Sequence, residues 1–147
     1  MLKQSVFGIA IVLALASPTF AADRKPHPNL SGTYTYTSNV ACFVLGSTYA
    51  SFRQDVGEYK FHPHDGTAKL TVATNFLNPG STVHYQRDVN LIQHYEIHTA
   101  HRMNFGGLQA YVQFGAVVNG IATSAALLYK NSDGSCTFQD TFTQTAP

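Results

Sequence analysis

Asp140 is the side chain whose type and position most invite chemistry. It lies in Cys136-Thr137-Phe138-Gln139-Asp140-Thr141-Phe142-Thr143, where alternation sets Cys136, Phe138, Asp140 and Phe142 on one face and Thr137, Gln139, Thr141 and Thr143 on the other. The apolar face is the one a strand buries, so Asp140 is expected to point inward. A buried carboxylate must be paired, hydrogen-bonded or wetted. Arg87 is placed similarly, on the face of Val83, Tyr85 and Val89. Two readings follow. Asp140 and Arg87 form a structural ion pair, or one or both present polar anchors to a ligand in an otherwise apolar cavity. Tyr34, Tyr36 and Tyr59, each an aromatic body carrying a hydroxyl, are expected to line the same space.

The histidines raise a second chemistry. His62 and His64 are two apart with Asp65 next, and His94 and His98 flank Glu96 on one strand face. Either set is a candidate metal site, but neither spacing is that of a recognised zinc motif, and Pro63 disturbs strand geometry between the first two. The polar face of Glu58, Lys60 and His62 also reads as ordinary solvated surface. No Gly-x-Ser-x-Gly elbow is present, and Gly106-Gly107 is followed by no helix that would make it a phosphate loop. The sequence therefore names no catalytic residue and implies no cofactor.

The elements that must position these residues are strands. Thr, Tyr, Phe and Val are plentiful, Trp is absent, and Glu occurs only at positions 58 and 96. From Leu30 the chain alternates, with Gly32, Tyr34 and Tyr36 opposed to Thr33, Thr35 and Thr37. Tyr59 and Phe61 then oppose Lys60 and His62, and Ala68, Leu70 and Val72 oppose Lys69 and Thr71. Residues 83–99 are one long strand or two, bent near Asn90. Leu108, Ala110, Val112 and Phe114 oppose Gln109, Tyr111 and Gln113, residues 121–129 form another strand, and residues 136–143 close the chain. Turns are marked by Asp65-Gly66, Asn78-Pro79-Gly80-Ser81, Asn104-Phe105-Gly106-Gly107, Asn119-Gly120 and Asn131-Ser132-Asp133-Gly134. Sequential hairpins predict an all-β, antiparallel up-and-down barrel of about eight strands, a β-sandwich being the competing arrangement.

The amino terminus gives the chain an address. Lys3 precedes an uncharged apolar run over residues 6–16, and Ser17-Pro18 ends it. Thr19 and Ala21 put small residues at −3 and −1, so residues 1–21 read as a secretory signal peptide; cleavage after Ala22 would place Phe20 at −3. The run is too short for a bilayer core, which takes roughly 20 residues, although an uncleaved anchor is the other reading. Residues 22–29, charged and proline-punctuated, read as a mobile leader, and residues 30–147 as one domain. Loss of Lys3 leaves acidic and basic side chains equal in number. That balance excludes the basic stripe of a nucleic-acid binder, and no membrane partner is expected for the mature chain. Two cysteines in an exported protein predict one disulfide, Cys42–Cys136, against the alternative of two buried thiols. With the first and last strands antiparallel, setting Cys42 opposite Cys136 sets Tyr36 opposite Phe142, which joins the two apolar faces and favours a closed sheet.

The segments Leu30-Ser31-Gly32-Thr33-Tyr34 and Asp140-Thr141-Phe142-Thr143 resemble the opening and closing strands of avidin-type barrels. In some members of that family the corresponding Asp hydrogen-bonds a ligand from inside the barrel. The tryptophans that wall the avidin biotin site are absent, so the resemblance does not imply biotin. The wider calycin group, with the lipocalins, is similar in its early Gly-x-Trp strand and cavity, with Tyr34 here in place of the tryptophan. Periplasmic proteinase-inhibitor barrels are similar in Leu30-Ser31-Gly32 and a following cysteine, but their second cysteine lies much closer than Cys136. These resemblances imply a calycin-like barrel architecture; together with the amino-terminal signal and the inward faces, the expectation is a secreted or periplasmic barrel binding a small, partly apolar ligand through Asp140, Arg87, Tyr34, Tyr36 and Tyr59. The alternatives are an exported protein-binding module acting through the leader and residues 39–52, or a structural protein without ligand.

Overall fold

Period-two alternation over most of the chain dictates strands, and the computed structural model is all β, with no helix among the described residues. The structure describes residues 26–43, 50–76 and 84–147, except the side chains at 50, 72, 75–76 and 84–88. The signal peptide read at residues 1–21, the start of the leader and the turn at Asn78-Pro79-Gly80-Ser81 lie outside the described residues.

The strands are β1 (Gly32–Phe43), β2 (Ala50–His62), β3 (Thr67–Phe76), β4 (His84–Thr99), β5 (Arg102–Phe105), β6 (Leu108–Phe114), β7 (Val117–Val118), β8 (Ile121–Ala122), β9 (Ser124–Lys130) and β10 (Cys136–Ala146). Eight of them close an antiparallel barrel in the order β1-β10-β9-β6-β5-β4-β3-β2, and β7 and β8 form a separate two-stranded hairpin. Closure rests on β1 and β10, which pair with Cys42 opposite Cys136 and Tyr36 opposite Phe142. This is the register that alternation and the disulfide together predict. The only shift in it falls between Thr33 and Tyr34, outside the stretch that links the two pairs. The Cys42–Cys136 disulfide closes a sequence separation of 94 residues, and such a bond belongs to a non-reducing compartment.

Inward-facing aromatics fill much of the barrel. Phe61 packs edge-on to Tyr34, Tyr95 and Phe142 at ring-centroid distances of 5.2, 5.2 and 5.5 Å. Leu30, Met103, Val112, Leu127 and Ala125 complete this core. One end is plugged by Leu30 and Ala122, brought together where Asn29 bridges Ile121. Asn29 donates its N–H to the Gly120 carbonyl at 2.9 Å and accepts from the Ala122 N–H at 2.8 Å. The last residue of the expected leader is thus tied to the barrel. The β7–β8 hairpin turns through Asn119 (φ 51°) and Gly120 (φ 80°), the left-handed pair that a tight two-residue hairpin requires.

Two local expectations need correction, and one open alternative is decided. On β3 the buried residues are Ala68, Leu70 and Ala73, because Tyr59 pairs with Leu70 and Glu58 with Val72 on the β2 side; the extra residue there, Thr71, moves the inward face by one. Residues 84–99 are one strand, and its own irregularity falls at Val89 and Asn90, which together face Thr71 between the Leu70–Leu91 and Val72–Asp88 pairs. Residues 121–129 are two strands, since Ile121 and Ala122 leave the barrel to pair with β7 before Ser124 rejoins it. The four-residue β5 lies next to the Gly106-Gly107 turn, in a segment the pattern marks only as a break.

Candidate functional site

Asp140 is inward, as its strand face predicts, and only 2 % exposed. Cross-strand pairing places it beside Ser38 of β1 and Leu127 of β9. Ser38 is itself buried and pairs on its other side with Asp55 of β2. A buried hydroxyl therefore stands between two inward-register carboxylates. Tyr129 of β9 donates its hydroxyl to Asp140 Oδ2 at 2.7 Å. Asp140 Oδ1 is buried and has no hydrogen-bond partner among the described residues.

Asp55 is in a different position. Arg53 Nε stands 2.9 Å from Asp55 Oδ1 and donates a hydrogen bond to Oδ2 at 3.1 Å; the Oδ1 approach is an ion-pair contact without hydrogen-bond geometry. The Asp55 side chain is also 15 % exposed, so it keeps some contact with water as well as its cation. Arg53 reaches it because both residues lie on the β2 face that pairs with the buried Val40 and Ser38.

The walls around Asp140 are aromatic. Tyr36 and Tyr59 meet edge to face at 4.9 Å, Tyr59 meets Phe142 at 5.7 Å, and Tyr129 stacks on Phe138 at 4.9 Å. Tyr59 donates its hydroxyl to Gln93 Oε1 at 2.8 Å. Burial raises the Tyr59 pKa, and the nearby Tyr36, Asp140 and Asp55 raise it further. Burial likewise raises Tyr129, helped by the charge of Asp140 and by the hydrogen bond to it. Both phenols therefore remain protonated donors. Asp140 is pushed above the ordinary aspartate value by burial, while Ser38 and Tyr129 pull it down and Asp55 adds to the rise. A carboxylate held in this way is costly when charged, and it can accept one more donor through Oδ1.

Of the residues singled out by sequence, the structure brings together Asp140, Tyr36 and Tyr59. Tyr34 lies elsewhere: its hydroxyl donates to the Ala122 carbonyl at 2.6 Å and serves the plug. Tyr95 matches it there, donating to the Leu30 carbonyl at 2.9 Å. Arg87 pairs in register with the buried Ala73; its side chain lies outside the described residues. His94 and His98 are exposed on the outer wall, His98 standing 3.8 Å from Glu96, and His64 is exposed in the β2–β3 turn while His62 is half-buried. Among the described residues no group of three or more His, Cys, Asp or Glu side chains is placed to hold a metal ion.

Sequence reasoning missed Ser38, Asp55, Arg53 and Tyr129. The signal was present: continuing the Tyr34–Tyr36 alternation reaches Ser38, counting back by twos from Tyr59 reaches Asp55, and Ala125, Leu127 and Tyr129 share one face of β9. A concavity of about 580 Å³ between His98, Arg102, Gln109 and Tyr111 holds none of these four groups, whereas Tyr129 and Arg53 each line part of another concavity. No family model, no curated protein and no solved structure matches this chain.

Proposed function

We propose that this is an exported, calycin-like barrel that binds a small, partly apolar ligand inside, with Asp140 as the polar anchor and Tyr36, Tyr59 and Tyr129 as the surrounding wall. The observation that carries this reading is a carboxylate only 2 % exposed whose Oδ1 has no hydrogen-bond partner among the described residues. A protein that needed Asp140 only for packing would be better served by an apolar side chain, because a buried, half-satisfied carboxylate costs stability. The closed barrel supplies a sheltered interior. The disulfide supports export, and residues 1–21 supply the signal for it.

Thermal unfolding of the mature protein and of Asp140→Asn against a panel of small metabolites tests the reading, since a ligand of the folded state raises the midpoint with its concentration. A compound that stabilises the wild type and not the variant is the expected result. A panel without effect, together with a structure packed solid from end to end, would overturn it.

A second reading is favoured by one observation. Phe43 and Phe52, which flank residues 44–49, are 60 % and 54 % exposed. Large apolar side chains left in water at one rim suit a protein-binding module. Recovery of one stoichiometric partner by the wild type, and its loss on replacing both phenylalanines with serine, would favour this reading over the first.

A further inference from the structure

We infer that the end of the ligand bound at Asp140 is a small alkylammonium cation, an inference that rests on the interior-ligand reading above. Asp140 and Asp55 both occupy the inward register, on either side of Ser38, but only one of them has a described cation. Arg53 stands 2.9 Å from Asp55. The carboxyl of Asp140 has the Tyr129 hydroxyl on Oδ2 and the Ser38 hydroxyl beside it, and among the described residues Oδ1 has no hydrogen-bond partner.

The chemistry of the missing partner can be narrowed by elimination. An anion would meet two carboxylates, Asp140 at 2 % and Asp55 at 15 % exposure. A neutral amide would satisfy the hydrogen bond at Oδ1 but leave the buried charge unmatched, and matching buried charge is the larger need. A guanidinium favours two coplanar acceptor oxygens, and one of the two on Asp140 is already taken by Tyr129. A divalent metal needs several hard ligands, and no such group exists among the described residues. An ammonium needs one free carboxylate oxygen and is drawn to the electron-rich faces of aromatic rings. Tyr129 bonds the carboxylate, Tyr59 lies near enough to feel its charge, and Tyr36 packs edge to face on Tyr59 at 4.9 Å. The Tyr129–Phe138 stack and the buried Val40, which pairs with Phe138, are the apolar neighbours an alkyl tail would meet on the side toward the disulfide.

The test is calorimetric titration of the mature wild-type protein with n-butylammonium chloride, with the neutral pentanamide and the anionic pentanoate as size-matched controls. Butylammonium is expected to bind, the controls to bind at least about tenfold more weakly, and Asp140→Asn to weaken butylammonium by about tenfold or more. In NMR spectra of the wild type, the bound methylene protons are expected to show contacts to the Tyr129 and Phe138 rings, a readout that does not require the variant to fold. Pentanamide binding more tightly than butylammonium, in an Asp140-dependent way, would overturn the cation and leave the interior site standing. Butylammonium contacts confined to outer-wall residues such as Leu128 would overturn the cation as well. Absence of binding by all three, with a metabolite panel equally silent, would overturn both.

Discussion

Asp140→Asn should make the ligand-free protein more stable at neutral pH, and the gain should depend on pH in a way that identifies its cause. The Asp140 pKa is raised above the ordinary value of 3.8, chiefly by burial. A raised value in the folded state means that the folded protein keeps the proton at pH values where the unfolded chain has released it. The contribution of this group to stability is therefore most favourable below the unfolded value. It falls as pH rises toward the folded value and levels off beyond it. Within that window the slope approaches about 1.4 kcal/mol per pH unit for a single proton. Asparagine has no such proton and still offers Tyr129 an acceptor oxygen. The stability difference, variant minus wild type, should then be small in acid, widen as pH rises above about 3.8, and reach a plateau. Urea unfolding followed by circular dichroism at closely spaced pH values measures it, and the other acids largely cancel because they titrate in both proteins. A difference that stays constant with pH, or a wild type more stable than the variant at neutral pH, would refute the argument that Asp140 is a buried carboxylate held at a cost.

Other outcomes follow from the core and its closure. Replacing both Cys42 and Cys136 with serine releases a constraint spanning 94 residues, and in the chain-entropy picture this lowers stability by up to about 4–5 kcal/mol, read from denaturant midpoints. Tyr34→Phe leaves the Ala122 carbonyl without its 2.6 Å donor at the plug; a loss of about 1–3 kcal/mol is expected, with no change in the affinity of any ligand that depends on Asp140. Phe61→Ala empties a position that is 2 % exposed and in contact with the rings of Tyr34, Tyr59, Tyr95, Phe105 and Phe142. It should cost about 3–5 kcal/mol by thermal or chemical unfolding.

Much of the barrel is legible in the sequence because the determinants are local. Asp65-Gly66, Asn119-Gly120 and Asn131-Ser132-Asp133-Gly134 announce turns that the structure contains, with Gly66, Gly120 and Gly134 all at positive φ. The meeting of β1 and β10 follows from two cysteines and the rule that one-residue slips invert a strand face. What alternation could not reveal is where it is broken. Nothing in Lys69-Leu70-Thr71-Val72-Ala73 marks Thr71 as the extra residue of a bulge, since the irregularity arises from pairing with the neighbouring strands. Nor does the composition of Ile121 and Ala122 show that they pair outside the barrel.

The site was half legible for a similar reason. Face assignment alone puts Asp140, Tyr36 and Tyr59 inside, and it puts Tyr34 inside equally well. Separating Tyr34 from the others needs the plug, and the plug is made by Asn29 meeting Ile121, residues far apart in sequence. Likewise, the placement of Ser38 between Asp55 and Asp140 depends on two registers at once, one set by the disulfide and the other by the β1–β2 pairing. The chemistry of a barrel interior is a property of these cross-strand neighbours, and strand-by-strand reading reaches only its components.

The carboxyl carbon of Asp140, followed by NMR through a pH titration with and without butylammonium, tests the central claim most directly. The account predicts a midpoint above the ordinary aspartate value in the free protein, a fall in that midpoint when the cation binds, and no such fall with pentanamide. An ordinary midpoint, unmoved by any probe, would contradict the assignment of Asp140 as the buried anchor of a ligand site.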